Sequence, residues 1–281
     1  MMKETTLRSF DMKTHLICLD LDGTLLNDDK VITPLTKKVL KKLKAQGHKL
    51  IISTGRPYRA SETYYRELGM DTPVVNFNGA FVHHPRDINF RTVHETLDLN
   101  VVHKISERVP DLKIQNILAE IKDTVFVHYH DEVIFDMFDT GRPEIHVGEL
   151  AQTLTEGPTS ILIQAKDEDI PSIRESLDDL FADLIEHRRW GAPYPVIEIV
   201  KKGINKAVGV DYIRGYLGID HEHTIAFGDE DNDNEMIEYV KHGVAMDNAI
   251  DDLKSIADYT TKSNNDDGIA HFLIDYFDLK L

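Results

Sequence analysis

Two aspartates one residue apart, Asp20 and Asp22, directly follow the apolar run at 16–19. Such a run predicts a buried strand, and a doubly wound sheet binds its ligands beyond the carboxyl ends of its strands. Aspartate is rarely buried without a partner, and neighbouring carboxylates repel each other unless a cation or a proton lies between them. The pair therefore predicts a metal site with an activated carboxylate.

Three further polar features lie at similar places in the chain. Ser53-Thr54-Gly55-Arg56 ends a predicted strand, where a hydroxyl and free N–H groups can hold an oxyanion. Lys206 begins a predicted helix, although the helix dipole disfavours a cation there. Residues 228–233 contain four acids after another strand. Taken singly, the Thr-Gly segment is more typical of a turn and Lys206 of a solvated helix residue, and the acidic cluster is equally typical of a surface turn. Together they predict one site, because parallel strands open on the same edge.

The elements around these residues alternate between strand and helix. Near the amino terminus, we expect strands at 15–20, 49–53 and 73–76, helices at 34–46 and 58–68, and a return strand at 80–83. In the last third, we expect strands at 196–200, 224–227 and 243–246, helices at 204–217, 232–240 and 249–257, and a final helix after Asp267. This order predicts an α/β fold with a Rossmann-like, doubly wound parallel-sheet core.

The middle of the chain has a different pattern. It contains an alternating strand at 125–130, short strands at 160–165 and 185–190, and an amphipathic helix at 170–184. We interpret residues 85–193 as an inserted α+β domain, and residues 1–84 and 194–281 as the core. Residues 1–11 are expected to form a short frayed extension.

Composition narrows the possible function classes. Among the 281 residues 41% are apolar, which favours a sizeable core, and no apolar stretch approaches the roughly 20 residues that span a bilayer. The net charge of −17 disfavours binding to nucleic acid or to an anionic membrane. The single cysteine, Cys18, cannot form an internal disulfide, which fits a cytoplasmic location, and we interpret it as a packing residue.

The motifs resemble those of the haloacid dehalogenase-like superfamily of phosphohydrolases, in its Cof-type branch. The resemblance lies in Leu-Asp-Leu-Asp-Gly-Thr-Leu-Leu at 19–26, Ser-Thr-Gly-Arg-Pro at 53–57, Phe-Asn-Gly-Ala at 77–80, Gly-Asp-Glu-Asp-Asn-Asp-Asn-Glu-Met at 228–236 and Gly-Val-Ala-Met-Asp-Asn-Ala at 243–249. The resemblance implies a Mg²⁺-dependent phosphatase of small phosphate monoesters, such as sugar phosphates or phosphorylated cofactors. It also implies that the inserted domain is an α/β cap over a small phosphorylated metabolite.

The resemblance also implies roles for individual residues. Asp20 would be the nucleophile that forms an aspartyl-phosphate, and Asp22 would act as general acid and then as general base. Lys206 would neutralise charge on the nucleophile and on the phosphoryl group.

The same resemblance implies the binding groups. Thr54, the N–H of Gly55 and Asn232 would contact the phosphoryl oxygens. Mg²⁺ would be held by Asp20, Asp229 and the backbone carbonyl of Asp22. Asp233 would position Lys206 or a metal-bound water.

Several alternatives stay open on the sequence alone. Arg56 could contact the substrate or the cap, or it could pair structurally; Arg188 could hold a substrate anion or form a salt bridge at a strand edge. Histidine pairs such as His128 and His130 lack a second ligand pair at a convincing zinc-site spacing. The competing functions are a sugar phosphomutase and a non-catalytic phosphometabolite-binding protein. A dehalogenase is disfavoured, because Asp22 and Asp229 would have no task in it.

Overall fold

The computed structural model describes residues 13–108, 111–130, 141–189 and 195–281, so the expected amino-terminal extension lies outside the described residues. Its strands are β1 Leu16–Leu19, β2 Lys49–Ile52, β3 Val74–Asn76, β4 Phe81–His83, β5 Val93–His94, β6 Asn116–Ile121, β7 Thr124–Val127, β8 Glu144–Val147, β9 Ser160–Gln164, β10 Ile185–Arg189, β11 Val196–Lys201, β12 Thr224–Gly228, β13 His242–Ala245 and β14 Tyr259–Thr260.

The helices are α1 Pro34–Ala45, α2 Tyr58–Glu67, α3 Leu99–Glu107, α4 Leu150–Thr153, α5 Ile170–Phe181, α6 Lys206–Leu217, α7 Asn234–Tyr239, α8 Asp251–Ile256 and α9 Gly268–Phe277. Among the described residues, none of these helices combines the length and the apolar character needed to cross a bilayer.

The first sheet is parallel and has the order β14-β13-β12-β1-β2. Alternate residues of β1 face opposite layers, since Ile17 and Leu19 pack with α1 and α9, whereas Leu16 and Cys18 pack with α6, α7 and α8. Burial on both faces explains why these strands are almost continuously apolar. The doubly wound core is therefore as the sequence predicts, and Cys18 is fully buried within it.

The first sheet brings the polar motifs to one edge. Asp20 directly follows β1, Asp229 directly follows β12, and Thr54 comes after β2 with one residue in between. Because β1 pairs in parallel with both β2 and β12, the carboxyl ends of these three strands are adjacent. This adjacency positions the site.

The strand expected at 73–76 forms β3, which a single parallel bridge between Ser53 and Val75 joins to the chain after β2. It also pairs antiparallel with β4 in a small sheet of order β3-β4-β5. The tight turn between β3 and β4 reverses the chain, as the expected return strand requires.

The inserted region forms a mixed six-stranded sheet of order β10-β11-β9-β6-β7-β8. Ile117, Ile161 and Ile197 of this sheet pack with apolar residues of α3, α4 and α5 on one of its faces. This arrangement is the α+β unit that the alternating pattern predicts.

The strand at 196–200 was expected to join the core, and that expectation is wrong. As β11 it pairs antiparallel with β9 and β10 of the inserted sheet. The sequence could not reveal this pairing, because a strand followed by a helix has the same pattern whichever sheet it joins. At the amino-terminal end of the inserted region, β5 pairs with β4 and Phe90 packs into the core, so these residues belong with the core. In place of 85 and 193, we therefore propose domain boundaries after His94 and after Lys201.

A histidine cluster lies at the amino-terminal edge of the core sheet. His48 is only 3% exposed, its Nδ1 accepts a hydrogen bond from the N–H of His15 at 3.1 Å, and its ring centroid lies 4.6 Å from that of Phe277. Burial, and then the proximity of His15, lower the pKa of His48 to about 4. The folded core therefore holds this imidazole neutral.

The His48 pKa predicts a loss of stability in acid. An unfolded histidine titrates near 6.5, so between pH 6.5 and pH 4 the unfolded chain binds more protons than the folded one. This contribution is complete above pH 6.5 and declines as the pH falls towards 4, by about 1–2 kcal/mol between pH 7 and pH 5. In His48→Asn, whose Oδ1 can accept the same hydrogen bond, we expect that part of the pH dependence to disappear.

Urea unfolding at pH 7 and pH 5 measures this difference. His146→Asn is the matched control, because His146 is 44% exposed in the inserted sheet. Equal losses of unfolding free energy in the wild type and in His48→Asn would contradict the assignment of the effect to His48.

Candidate functional site

The central cation of the site is the ammonium group of Lys206. This residue is 0% exposed at the first position of α6, where the Asn205 side chain caps the helix by accepting a hydrogen bond from the N–H of Val208. Its Nζ lies 2.7 Å from Oδ1 of Asp20 and 2.7 Å from Oδ1 of Asp233. The interpretation of Lys206 as a solvated helix residue is therefore wrong.

The charge on Lys206 is held by its partners. Burial alone would lower the pKa of its amine, but the carboxylates of Asp20 and Asp233 outweigh burial and raise it. Losing both partners would leave an uncompensated buried charge, which costs a folded protein about 3 kcal/mol or more.

Three carboxylates meet beside this cation. Oxygens of Asp20, Asp229 and Asp233 lie within 4.8 Å of one another, and among the described residues no other three histidine, cysteine or acidic side chains come this close together. Burial raises the pKa of Asp20 to about 7 despite Lys206. Burial, followed by the charges of Asp20 and Asp233, raises the pKa of Asp229 to about 9. A divalent cation would relieve this excess of negative charge, and an oxygen-only donor set suits Mg²⁺.

Asp233 differs from the other two carboxylates in what it contacts. Its Oδ1 pairs with Lys206, and its Oδ2 accepts hydrogen bonds from the N–H groups of Asp229 at 3.0 Å and Glu230 at 3.2 Å. These contacts suit it to fix the 228–233 turn and the ammonium group together.

Asp229 is held by two residues whose part the sequence did not indicate. Thr24 donates its hydroxyl to Oδ1 of Asp229 at 2.6 Å, and the Asn248 amide donates to the carbonyl of Gly23 at 2.8 Å and lies 3.5 Å from Oδ2 of Asp229. Both residues belong to the quoted motifs at 19–26 and 243–249, which was the available signal. Thr24 lies more than 200 positions from Asp229 along the chain, and Asn248 fewer than 20. Separations this different follow no common spacing, so the sequence could not reveal these contacts.

Asp22 is turned to other partners. Arg56 donates to both of its oxygens at 2.6 Å, and the ammonium of Lys30 lies 2.8 Å from its Oδ1. Burial would raise the pKa of Asp22, but Arg56 and then Lys30 lower it to about 2. Asp22 is therefore ionised here, and of the two interpretations of Arg56 the structure favours structural pairing.

The expected phosphate-binding residues lie around one turn. Thr54 is 2% exposed, and its Oγ1 accepts the N–H of Arg56 at 3.2 Å. Asn232 donates its amide to Oδ1 of Asn78 at 3.1 Å, and a Cβ added to Gly55 would lie 3.2 Å from Nδ2 of Asn78. The side chain of Asn78, in the turn between β3 and β4, lies between Gly55 and Asn232.

Arg188 joins the inserted sheet to the core. Its guanidinium donates to the backbone oxygen of Asp231 at 2.8 Å and pairs with the carboxylate of Glu235. The structure thus shows an ion pair, as in the strand-edge interpretation, but its carboxylate belongs to α7 of the core, and the backbone contact is to the turn that follows Asp229.

Comparison with known proteins gives a consistent result. A family model described as haloacid dehalogenase-like hydrolase matches residues 17–273. The 5-amino-6-(5-phospho-D-ribitylamino)uracil phosphatase YitU of Bacillus subtilis is 51% identical over 269 residues, covering 96% of this chain and all of that protein. The pyridoxal phosphate phosphatase YbhA of Escherichia coli is 29% identical, covering 93% of this chain and 98% of its own length.

Solved structures agree over the same extent. A haloacid dehalogenase-like hydrolase from Bacteroides thetaiotaomicron superposes with a TM-score of 0.81 at 27% identity, covering 94% of this chain and all of that one. A subclass IIB sugar phosphatase superposes with a TM-score of 0.79 at 25% identity, covering 94% and 99%. The predicted fold class is therefore confirmed across both the core and the inserted sheet.

The packing of Gly23 against Asp229 can be tested with two alanine variants. Gly23 has φ +74°, and a Cβ there would lie 2.0 Å from Oδ2 of Asp229; Gly47 has φ +98°, with nothing within 4 Å of the added atom. Both variants carry the cost of a left-handed residue, about 1–2 kcal/mol. We expect Gly23→Ala to lower kcat/KM for an aryl phosphate at least about 100-fold by displacing Asp229, and Gly47→Ala to keep wild-type activity.

Steady-state kinetics and thermal unfolding of both variants make the comparison. Similar activity in the two variants would mean that the carboxylate of Asp229 can move without consequence.

Proposed function

Because the chain belongs to the haloacid dehalogenase-like hydrolase family and is a phosphatase, we propose that it works through a phosphorylated Asp20 with the help of Mg²⁺. The family model, the relatives and the solved structures confirm the family that the sequence motifs resemble. The observation that carries the proposal is the buried ammonium of Lys206, 2.7 Å from Asp20, beside the carboxylate of Asp229.

In the first step, a carboxylate oxygen of Asp20 attacks phosphorus, and the bond between phosphorus and the ester oxygen breaks. The leaving alkoxide takes a proton from Asp22. In the second step, water attacks the phosphorus of the aspartyl-phosphate and gives a proton to Asp22, and inorganic phosphate and free Asp20 result. The charge of Lys206 favours both steps, because negative charge spreads over the phosphoryl oxygens in each transition state.

The ionised Asp22 seen here suits the second step. An ionised carboxylate can accept a proton from water, but pairing with Arg56, which lowers the pKa of Asp22, weakens it as a base. For the first step Asp22 must carry a proton, so we propose that it separates from Arg56 when a substrate enters.

The oxygen groups at the site fit a hard divalent cation. Asp20, Asp229 and the backbone carbonyl of Asp22 would hold Mg²⁺, which when bound neutralises charge on the phosphoryl group. Thr54, the N–H of Gly55 and Asn232 would bind the remaining phosphoryl oxygens.

The inserted sheet covers the core as a cap. Besides Arg188, a buried ion pair between Arg59 of α2 and Glu120 of β6 joins the two parts at 2.5 Å. A cap held this close excludes bulk water and limits access to small phosphorylated molecules.

We propose 5-amino-6-(5-phospho-D-ribitylamino)uracil as the substrate. The support is the 51% identity to YitU over nearly the whole of both chains, which includes the cap. Pyridoxal phosphate is the comparison substrate, because the relative named for it is 29% identical.

Asp20→Asn tests the nucleophile. We expect kcat for an aryl phosphate to fall by at least about 1,000-fold, since an amide cannot form the acyl phosphate, while thermal unfolding shows that the chain still folds. Acid quenching during turnover of a labelled substrate should trap labelled wild-type protein and no labelled variant. A variant purified in parallel that keeps its activity, with contaminants excluded, would refute the role of Asp20.

A second measurement uses a substrate panel with and without Mg²⁺. We expect inorganic phosphate to be released from 5-amino-6-(5-phospho-D-ribitylamino)uracil with a kcat/KM at least about tenfold above those for pyridoxal phosphate and hexose phosphates, and chelation to abolish release. Phosphoryl transfer between sugar hydroxyls without phosphate release would favour the phosphomutase. Binding without turnover under any metal condition would favour the binding protein.

A further inference from the structure

A chain of two hydrogen bonds runs from the cap into the expected phosphate site. Glu198 on β11 is 6% exposed, and its Oε2 accepts a hydrogen bond from Nδ2 of Asn78 at 2.9 Å. Oδ1 of Asn78 in turn accepts a hydrogen bond from Nδ2 of Asn232 at 3.1 Å. Three segments far apart in sequence are thus joined through their side chains.

The strand geometry explains why Glu198 reaches the core. Its neighbours Ile197 and Ile199 pack into the apolar interior of the cap, so Glu198 points to the opposite face of the sheet. Arg188 lies directly opposite Glu198 in the antiparallel register and also contacts the core, at Asp231. This cross-strand pair places the cap on two core segments at once.

The carboxylate gives this chain a direction. Oε2 of Glu198 accepts from the NH₂ group of Asn78, so this amide has its NH₂ group towards the cap and its oxygen towards Asn232. Asn232 must then present its own NH₂ group. Each amide nitrogen has a second N–H, and N–H donors are what a phosphoryl anion requires.

The chain also lies beside the Thr54-Gly55 segment. The backbone N–H of Asn78 donates to the carbonyl of Thr54 at 3.1 Å, and the Asn78 side chain packs against Gly55, where an added Cβ would lie 3.2 Å from its nitrogen. Any change in the orientation of the Asn78 amide therefore occurs next to the proposed phosphate-binding groups.

We propose that Glu198 is a positioning residue carried by the cap: through Asn78 it orients the Asn232 amide as a donor to the phosphoryl group. The inference rests on the proposed function, in which Asn232 contacts that group. Phosphate affinity then depends on the cap being docked, because the acceptor that sets both amides belongs to the cap.

The test compares Glu198→Leu, Glu198→Gln and Asn78→Ala with the wild type. The matched control is Glu186→Leu, a 36% exposed glutamate on the neighbouring strand β10 that pairs with Lys202. Calorimetric titration with inorganic phosphate in the presence of Mg²⁺ gives Kd, aryl phosphate kinetics give kcat and KM, and thermal unfolding reports stability.

We expect Glu198→Leu to raise the Kd for phosphate, and KM, about tenfold, the effect of one lost hydrogen bond to a charged group. For Glu198→Gln, which keeps an acceptor oxygen, the Kd and KM should stay within about threefold of the wild-type values. For Glu186→Leu, both should equal the wild-type values. Because the effect passes through Asn78, adding Glu198→Leu to Asn78→Ala should change the Kd less than about twofold.

Two results would overturn the inference: an unchanged Kd in Glu198→Leu, or a full tenfold effect of that substitution in the Asn78→Ala background. A purely structural role would instead lower the unfolding temperature of Glu198→Leu and leave its Kd unchanged. A wild-type protein that binds phosphate but releases none from any ester would refute the proposed function, and the titration would still decide the role of Glu198.

Discussion

The buried ammonium group of Lys206 is the constraint on which the rest of the site depends. A cation with no exposed surface needs anionic partners, and Asp20 and Asp233 supply them at 2.7 Å. Asp20 follows β1, Asp233 lies in the turn after β12, and Lys206 begins α6, so the ion pairs fix the positions of three elements. The same geometry that satisfies the buried charge places the nucleophile of the proposed reaction.

One cation does not balance the carboxylates around it. Three carboxylates surround a single ammonium, and burial raises the pKa of Asp20 to about 7 and that of Asp229 to about 9, so both bind a proton more readily than exposed carboxylates do. Folding brings this excess together because β1 and β12 are adjacent and parallel. The site is thus unfavourable for the isolated protein and favourable for a divalent cation with a phosphate ester, which is consistent with binding energy being used for catalysis.

Sequence reasoning succeeded where a residue's place depends on its own strand. Asp20, Thr54 and Asp229 each follow an apolar run, so the edge at which they meet could be predicted. It failed where a place depends on a distant partner: β11 has the pattern of a core strand, and the ionic partners of Asp22 could not be read from the chain. Glu198 looked like any polar residue of an alternating strand, since its contact with Asn78 spans 120 positions.

The contacts between cap and core follow a similar logic. Arg59 lies three residues after Arg56 and pairs with Glu120 of the cap, whereas Arg56 pairs with Asp22. The segment after β2 therefore contacts the proposed acid–base residue at one end and the cap at the other. A movement of the cap would displace this segment and the Asn78 turn, and both adjoin the proposed phosphate site. Substrate entry and the arrangement of the reacting groups are in this way physically linked, although the proposed chemistry uses residues of the core.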